Sequence, residues 1–422
     1  MKVEARRVPM WSAVLGIVWV ALVACGAGEE PTAETPAYAP DDGEFLVVVL
    51  PDTQMYALAF PETFDAQLRW VAEYADEYDI VYVTHVGDIV QHGDATDQWA
   101  VARAAFDWLD DAGVPYGFSV AGHDFSVRTQ GHDSSCANLD DVDCDFTQFR
   151  EAFPRERLDA APDAGVSPSG YSSYQRVDAG AVELLFLHLP QDPPRAEVQW
   201  AGEVLDENPG TLAHVTTHRH LFDYRLTDWM PPPLDLLPAG RFTALAYAAG
   251  DQTLKFQTSV TAQELFDELV APHPNVWAVH CGHVDAEYRQ QATNDAGLPV
   301  HEILVDYQNM ADGGGGFLRL LKFAPARDQV EVYSYSPLTD TLRANGDGFE
   351  HSLDILDEYQ ALALDELEDL GLDVEPLRDL LDQLRTDDIL RAEYRDSLYA
   401  DGSRDSQFVL DVDFDAYLDA TR

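Results

Sequence analysis

The order of apolar runs along the chain is the feature that most restricts its fold. From residue 45 onward, runs typical of buried strands, such as "EFLVVVL" and "DIVYVTHVGD", alternate with segments whose apolar residues recur at helical spacing. One such segment, "TDQWAVARAAFDWLDDAG", ends in the glycine that commonly closes a helix. Hairpin patterns accumulate later, with turns at "DAGA" and "NDAG". Strands that alternate with helices and then give way to hairpins predict an α/β sandwich of mixed sheets.

Acidic, amide and histidine side chains follow the predicted strands at the points where the strands end. They are Asp52 and Gln54 after the first strand, Asp88 after the second, His123 after the third, His218 after a later strand, and His283 and Asp285 after the last. Because ligands of open α/β sheets bind beyond the carboxyl ends of the strands, these side chains can converge. Carboxylates and imidazoles together suit two divalent ions about 3.5–4 Å apart that bridge an attacking oxygen. The pattern predicts a dinuclear metal site, although each residue alone also fits a turn, a cap or a packed histidine.

These residues stand in motifs that resemble the calcineurin-like metallophosphoesterase family, and within it the branch whose first motif is Asp-Thr-Gln. The motifs are "PDTQMY", "VTHVGDIV", "VPYGF", "NVWAVHCGHV" and "LVDYQNM", and the similarity runs from about residue 45 to residue 337. The resemblance implies a βαββ-type sandwich of two mixed sheets flanked by helices, with the metal site at one end.

Carried over by position, the resemblance also implies a ligand set and a reaction. The implied ligands are Asp52, Gln54 and Asp285 for one metal, His218 and His283 for the other, and Asp88 as the bridge. A bridging hydroxide would attack phosphorus in line, while His123 would protonate the leaving-group oxygen or hydrogen-bond to it. The resemblance therefore implies a metal-dependent phosphoesterase that uses two divalent ions, which would be Mn, Fe, Zn or Mg.

Two positions depart from the family pattern. The family has Asn where this chain has Gly122, so a water must supply the lost oxygen ligand or the second metal binds more weakly. The last family motif, Gly-His-x-His, ends here in Asp285, whose carboxylate favours harder ions such as Mn²⁺, Mg²⁺ or Ca²⁺. An alternative function therefore stays open, namely a catalytically impaired binding or scaffold lipoprotein on the same fold.

Four further side chains are predicted to line the substrate. They are His188 at the end of "LLFLHL", His92 shortly after Asp88, and Gln308 and Asn309 at the end of a late strand. For His188, a place in the core is an equal alternative. The predicted substrate is a phosphate ester, and the motifs do not distinguish monoesters from diesters.

The N-terminus predicts export and a lipid anchor. A basic start, "MKVEARR", precedes the apolar run "VPMWSAVLGIVWVALVA", which is the order of a signal peptide. The end of that run, "LVAC", resembles the bacterial lipoprotein box, so Cys25 would become the lipidated first residue of a protein of the periplasm or outer membrane. A signal-anchor helix is the alternative. In such an oxidising compartment we expect a disulfide between Cys136 and Cys144.

Composition completes the predicted organisation of the chain. We expect a signal peptide over 1–25, a flexible linker over 26–44, the metallophosphoesterase domain over 45–349, a helical insertion over 350–400, and a returning strand with the C-terminus over 401–422. The net charge is −50, from 76 acidic and 26 basic residues, and the acidity is spread along the chain. Such a charge argues against a nucleic-acid partner, because nothing would offset phosphate repulsion.

Overall fold

The computed structural model describes residues 35–127, 144–158, 163–222, 240–241, 258–345 and 405–421. Its main compact unit begins at Tyr38, which is 4 % exposed and packs against the rings of Trp70 and Tyr335. Because burial of an aromatic ring fixes this segment, residues 38–44 belong to the folded unit rather than to the predicted linker. The predicted signal peptide, Cys25, Cys136 and the predicted insertion over 350–400 lie outside the described residues, and so does the side chain of Cys144.

The strands and helices follow the order predicted from the apolar runs. The strands are β1 (Phe45–Leu50), β2 (Ile80–His85), β3 (Tyr116–Phe118), β4 (Ser126–Val127), β5 (Cys144–Asp145), β6 (Ala164–Val166), β7 (Ser173–Asp178), β8 (Glu183–His188), β9 (Leu212–Thr216), β10 (Leu221–Phe222), β11 (Gly240–Arg241), β12 (Val276–Cys281), β13 (Glu287–Thr293), β14 (Pro299–Val305), β15 (Leu318–Ala324), β16 (Gln329–Ser336), β17 (Thr341–Leu342) and β18 (Gln407–Asp411). The helices are α1 (Gln54–Ala59), α2 (Pro61–Tyr74), α3 (Thr96–Ala112), α4 (Thr147–Ala152), α5 (Arg155–Leu158), α6 (Arg195–Glu207), α7 (Ala262–Leu265), α8 (Ala311–Gly314) and α9 (Phe414–Asp419).

Two mixed sheets form the centre of the fold. The first has the order β17-β16-β15-β1-β2-β3, with β18 also paired to β16, and the second has the order β13-β14-β12-β9-β8-β7-β6. Parallel pairs join β1, β2 and β3 in the first sheet, and β8, β9, β12 and β14 in the second. The predicted fold class, an α/β sandwich of two mixed sheets flanked by helices, is confirmed.

Alternation along the strands places the core in three layers. In β1, Phe45, Val47 and Val49 belong to the core between the sheets, whereas Leu46 and Val48 belong to the core beneath the helices. That outer core contains apolar residues of α2 and α3, and a third core lies where α6, α7 and the π-helical turn after α7 (Phe266–Val270) cover the second sheet. Helices therefore cover the outer face of each sheet, and the loops at the sheet edges remain available for a site.

Polar contacts hold β18 against the first sheet and connect it to the second. Asn345 Oδ1 accepts the main-chain N–H groups of Ser406 at 3.1 Å and Gln407 at 3.0 Å, and Asn345 Nδ2 donates to the Gln407 carbonyl at 2.7 Å. Ser406 Oγ in turn donates to the buried carboxylate of Glu287 in β13. Residues 345 and 406 therefore lie side by side.

Candidate metal centre

The carboxyl ends of the parallel strands bring three predicted metal ligands into one cluster. Asp88 follows β2, His218 follows β9 and His283 follows β12, and each offers a ligand atom that lies within 4.8 Å of the other two. His218 Nε2 is 3.0 Å from Asp88 Oδ2 and 3.9 Å from Oδ2 of Asp52, which follows β1. Two carboxylates and two imidazoles thus meet where both sheets end.

One hydrogen bond of the His218 ring shows which of its nitrogens faces the carboxylates. His218 Nδ1 lies 3.1 Å from the Val86 carbonyl, which can only accept, so Nδ1 carries a proton and Nε2 is the ring nitrogen that faces the carboxylates. Within the described residues, His218 Nε2 and Gln54 Oε1 are buried without a hydrogen bond of acceptable geometry. An imidazole nitrogen that faces carboxylates and an amide oxygen without a donor are both groups that a divalent cation can bind.

The backbone around the cluster is unusual. Asp88 and His283 have positive φ values of 50° and 75°, which are uncommon for residues with a side chain and occur where a site requires them. A Cβ atom at Gly282 would collide with the carboxylate of Asp52, and His283 N–H lies 3.3 Å from Asp52 Oδ2. The loop after β12 can therefore pass so close to Asp52 only because residue 282 is glycine.

A buried hydrogen-bond chain locks the loop after β1 to the loop after β2. The Thr53 hydroxyl donates to the Ile89 carbonyl at 3.1 Å, and the same oxygen accepts from His85 Nε2 at 2.8 Å. His85 Nδ1 accepts the Gly87 N–H at 3.0 Å, which makes the ring a neutral Nε2–H tautomer, and burial lowers its pKa to about 3. Thr53, the central residue of the Asp-Thr-Gln motif, thus holds both carboxylate-bearing loops in place.

His123 is positioned by the same loops. Its main-chain N–H donates to Asp88 Oδ1 at 3.1 Å, and its Nδ1 lies 2.9 Å from the Gln91 carbonyl. The neighbouring Asp124 is buried and accepts main-chain N–H groups of Ile89 at 2.7 Å and of Ala121 at 2.9 Å. Hydrogen bonds between side chains and main-chain N–H groups therefore join the loop after β2 to the loop after β3.

The electrostatics of the cluster call for positive charge. Burial raises the pKa of Asp52 well above its ordinary value, and the carboxylates of Asp306, Asp88 and Asp285 raise it further. Burial also opposes ionisation of Asp88, but His218 and His123 outweigh it and hold the pKa of Asp88 below its ordinary value. Several carboxylates buried together are costly unless cations neutralise them, so this donor set fits divalent metal ions.

Three other predicted residues lie at the same edge. Asp285 is 3 % exposed, and its Oδ2 accepts from the side chain of Asn309, a predicted substrate residue. Gln308 donates through Nε2 to Asp306 Oδ2 at 2.9 Å and through its main-chain N–H to Asp306 Oδ1 at 2.9 Å. Asp306 itself, directly after β14, was not predicted, although an Asp that ends an apolar run is the signal that identified Asp88.

The two predicted substrate histidines differ in position. His188 is fully buried, its Nε2 lies 3.0 Å from Thr84 Oγ1, and burial lowers its pKa to about 3. His188 therefore lies in the core, which is the alternative given for it above, and a substrate cannot reach it. His92 is partly buried in the loop after β2, where its main-chain N–H donates to Gln98 Oε1 at 3.0 Å.

Comparison with known proteins finds one curated relative and a set of structural neighbours. No protein-family model matches the chain. The chain is 28 % identical over 344 residues to the uncharacterized protein YvnB of Bacillus subtilis. This match covers 78 % of the chain but only 23 % of YvnB. A dimetal phosphatase from Danio rerio is similar at a TM-score of 0.41 and 12 % identity, over 71 % of this chain and 98 % of the other. A purple acid phosphatase from yellow lupin seeds is similar at a TM-score of 0.40 and 12 % identity, over 71 % of this chain and 52 % of the other.

Proposed function

We propose that this protein is a metal-dependent phosphoesterase that binds two divalent ions at the edge formed by β1, β2, β9 and β12. The observation that carries the proposal is the cluster of Asp88, His218 and His283 beside Asp52. Divalent ions in such a site acidify a bound water and neutralise charge on a phosphoryl group. The residues that would hold them are Asp52, Gln54, Asp88, His218, His283 and Asp285.

The chain's own groups define how the remaining chemistry is divided. Ionised Asp88 faces His218 with Oδ2 and accepts the main-chain N–H of His123 with Oδ1. One carboxylate therefore links the candidate metal site to His123, the proposed general acid. Because His123 Nδ1–H is committed to the Gln91 carbonyl, a proton at Nε2 exists only on the cationic ring. That Nε2–H is the proton that His123 would give to the leaving-group oxygen.

Metal content and hydrolysis, measured on the same preparations, test the proposal. Elemental analysis of the purified chain should give two divalent ions, and the protein should hydrolyse 4-nitrophenyl phosphate or its diester. Asp88→Asn should lower kcat at least about 100-fold, because the carboxylate charge that would help to hold the ions is lost. Asp295→Asn is the matched control, since Asp295 is exposed at the opposite end of β14. Absence of bound metal, or equal activity of Asp88→Asn and wild type, would refute the proposal.

We further propose that the protein is exported and anchored through a lipid on Cys25. A basic start followed by an apolar run that ends at Cys25 supports this proposal. Among the helices of the described ranges, none has the length and apolarity to cross a bilayer. Cells labelled with radioactive palmitate should yield a labelled protein in the membrane fraction, and Cys25→Ser should abolish the label. A Cys25→Ser protein that still carries the label would contradict the proposal.

A further inference from the structure

Residues 189–192, between β8 and α6, are held by hydrogen bonds beside the candidate metal centre. They are called the 189–192 segment below. Ser119 Oγ, after β3, donates to the Leu189 carbonyl at 2.7 Å, and Thr217 Oγ1, after β9, donates to the Pro190 carbonyl at 3.1 Å. The Gln191 N–H donates to the Val120 carbonyl at 2.8 Å. The segment is thus held from both sheets, at the edge where the candidate ligands lie.

The side chain of Gln191 reaches from this segment to the His123 turn. Gln191 is 2 % exposed, and its Oε1 accepts the N–H of Gly122 at 2.8 Å. The orientation of the amide follows from chemistry, because a main-chain N–H requires an acceptor. Gly122 is buried and immediately precedes His123, so this bond fixes the start of the turn that aims the imidazole.

A buried ion pair connects the same segment to the candidate ligand His218. Arg219 Nε donates to Asp192 Oδ1 at 3.0 Å, and Arg219 Nη2 donates to Asp192 Oδ2. Arg219 and Asp192 are 4 % and 1 % exposed, and a two-pronged pair of this kind fixes geometry as well as charge. Asp192 also has a positive φ of 48°, which this pairing helps to maintain.

Together these contacts close a ring around the site. His218 faces Asp88, Asp88 accepts the His123 N–H, Gly122 donates to Gln191, and Asp192 pairs with Arg219, which follows His218. Each link joins groups that are distant in sequence; 69 residues separate Gln191 from Gly122. The ring therefore sets the position of His123 relative to the candidate metal ligands, and Gln191 acts on it through the Gly122 N–H.

We propose that Gln191 is a positioning residue that aims His123 at the leaving-group oxygen, an inference that rests on the proposed phosphoesterase function. Loss of its acceptor leaves the buried Gly122 N–H without a partner and frees the turn. A displaced acid harms only those substrates whose leaving group needs a proton. The effect of removing Gln191 should therefore depend on the leaving group, and the metal ions should be retained.

The test uses the purified full chain loaded with Mn²⁺ and two variants at position 191. Gln191→Met keeps the length of the side chain but removes the acceptor, whereas Gln191→Glu keeps an oxygen that accepts the Gly122 N–H. Gln67→Met is the matched control, because Gln67 is also fully buried and donates to the Gly316 and Phe317 carbonyls. The substrates are the 4-nitrophenyl ester, whose good leaving group departs unprotonated, and the corresponding phenyl ester.

We expect Gln191→Met to lower kcat for the phenyl ester about 10- to 100-fold and for the 4-nitrophenyl ester less than about threefold, with KM and Mn²⁺ content unchanged. Without bound metal, the Gly122 amide should exchange hydrogen faster in Gln191→Met than in wild type. Gln191→Glu should restore the wild-type ratio of the two rates, and Gln67→Met should not change it.

Equal losses on both esters, or a Gln191→Glu variant as impaired as Gln191→Met, would overturn the positioning role while the phosphoesterase function stands. Unchanged exchange of the Gly122 amide in Gln191→Met would overturn it as well. A wild-type protein that binds Mn²⁺ but hydrolyses neither ester would instead overturn the proposed function.

Discussion

Replacing His214 should change how the stability of the protein depends on pH. His214 lies in β9 and is fully buried, and its ring stacks on His280 with the centroids 4.6 Å apart. Within the described residues neither of its ring nitrogens has a hydrogen-bond partner. Burial lowers the pKa of His214 from 6.5 to about 3, so the folded protein keeps this ring neutral under mildly acidic conditions.

The magnitude follows from linkage. Below about pH 6.5 the unfolded chain takes up a proton on His214 that the folded protein does not, so stability is lost as the pH falls. From about pH 7.5 to about pH 5.5 the free energy of unfolding falls by about 1.4 kcal/mol on account of this one ring. At the lower pH, protonated His214 outnumbers neutral His214 about tenfold in the unfolded chain. Both conditions lie above the isoelectric point of about 4.2, so the protein keeps its negative charge.

The assay is urea unfolding followed by tryptophan fluorescence, with a chelator present, for wild type and His214→Leu. The stability difference between the two pH values should be about 1.4 kcal/mol smaller in His214→Leu than in wild type, whatever the variant does to stability at pH 7.5. Leu212→Val, in the same buried strand, should shift stability equally at both pH values. Parallel pH profiles for wild type and His214→Leu would refute the argument that burial keeps this ring neutral.

Three further predictions concern the loops of the candidate centre. Gly282→Ala should weaken Mn²⁺ binding at least about tenfold in calorimetry, because the new Cβ displaces the Asp52 carboxylate; Mn²⁺ affinity like that of wild type would contradict this. Thr53→Val should lower the free energy of unfolding by about 1–3 kcal/mol in urea, because His85 Nε2 loses its acceptor and the Ile89 carbonyl its donor. Asp124→Asn should cost about 1–3 kcal/mol in the same assay, because an amide cannot accept at both oxygen positions; stability equal to that of wild type would contradict it.

The cluster of predicted ligands was accessible from sequence because parallel strands share one edge. Asp88, His218 and His283 each follow a buried run, and strand direction alone carries them to the same place. Asp306 follows β14, a run of the same kind, and carries the same signal.

Side-chain direction was harder to predict. His188 has the same parity along β8 as Leu184 and Phe186, which face the core between the sheets, so it turns inward. The parity becomes informative only once it is known which face of the strand is covered by helices. Similarly, nothing in the sequence pairs Gln191 with Gly122, because contacts between loops follow no period.

The contacts of Asn345 have a consequence for how this protein can vary. Because Asn345 binds Ser406 and Gln407, the residues on either side of 346–404 are held next to each other. The entropic cost of closing a loop between two such ends grows only slowly with the number of residues in it. A change in the length of the chain between these two positions should therefore leave the edge that carries the candidate metal centre unaltered.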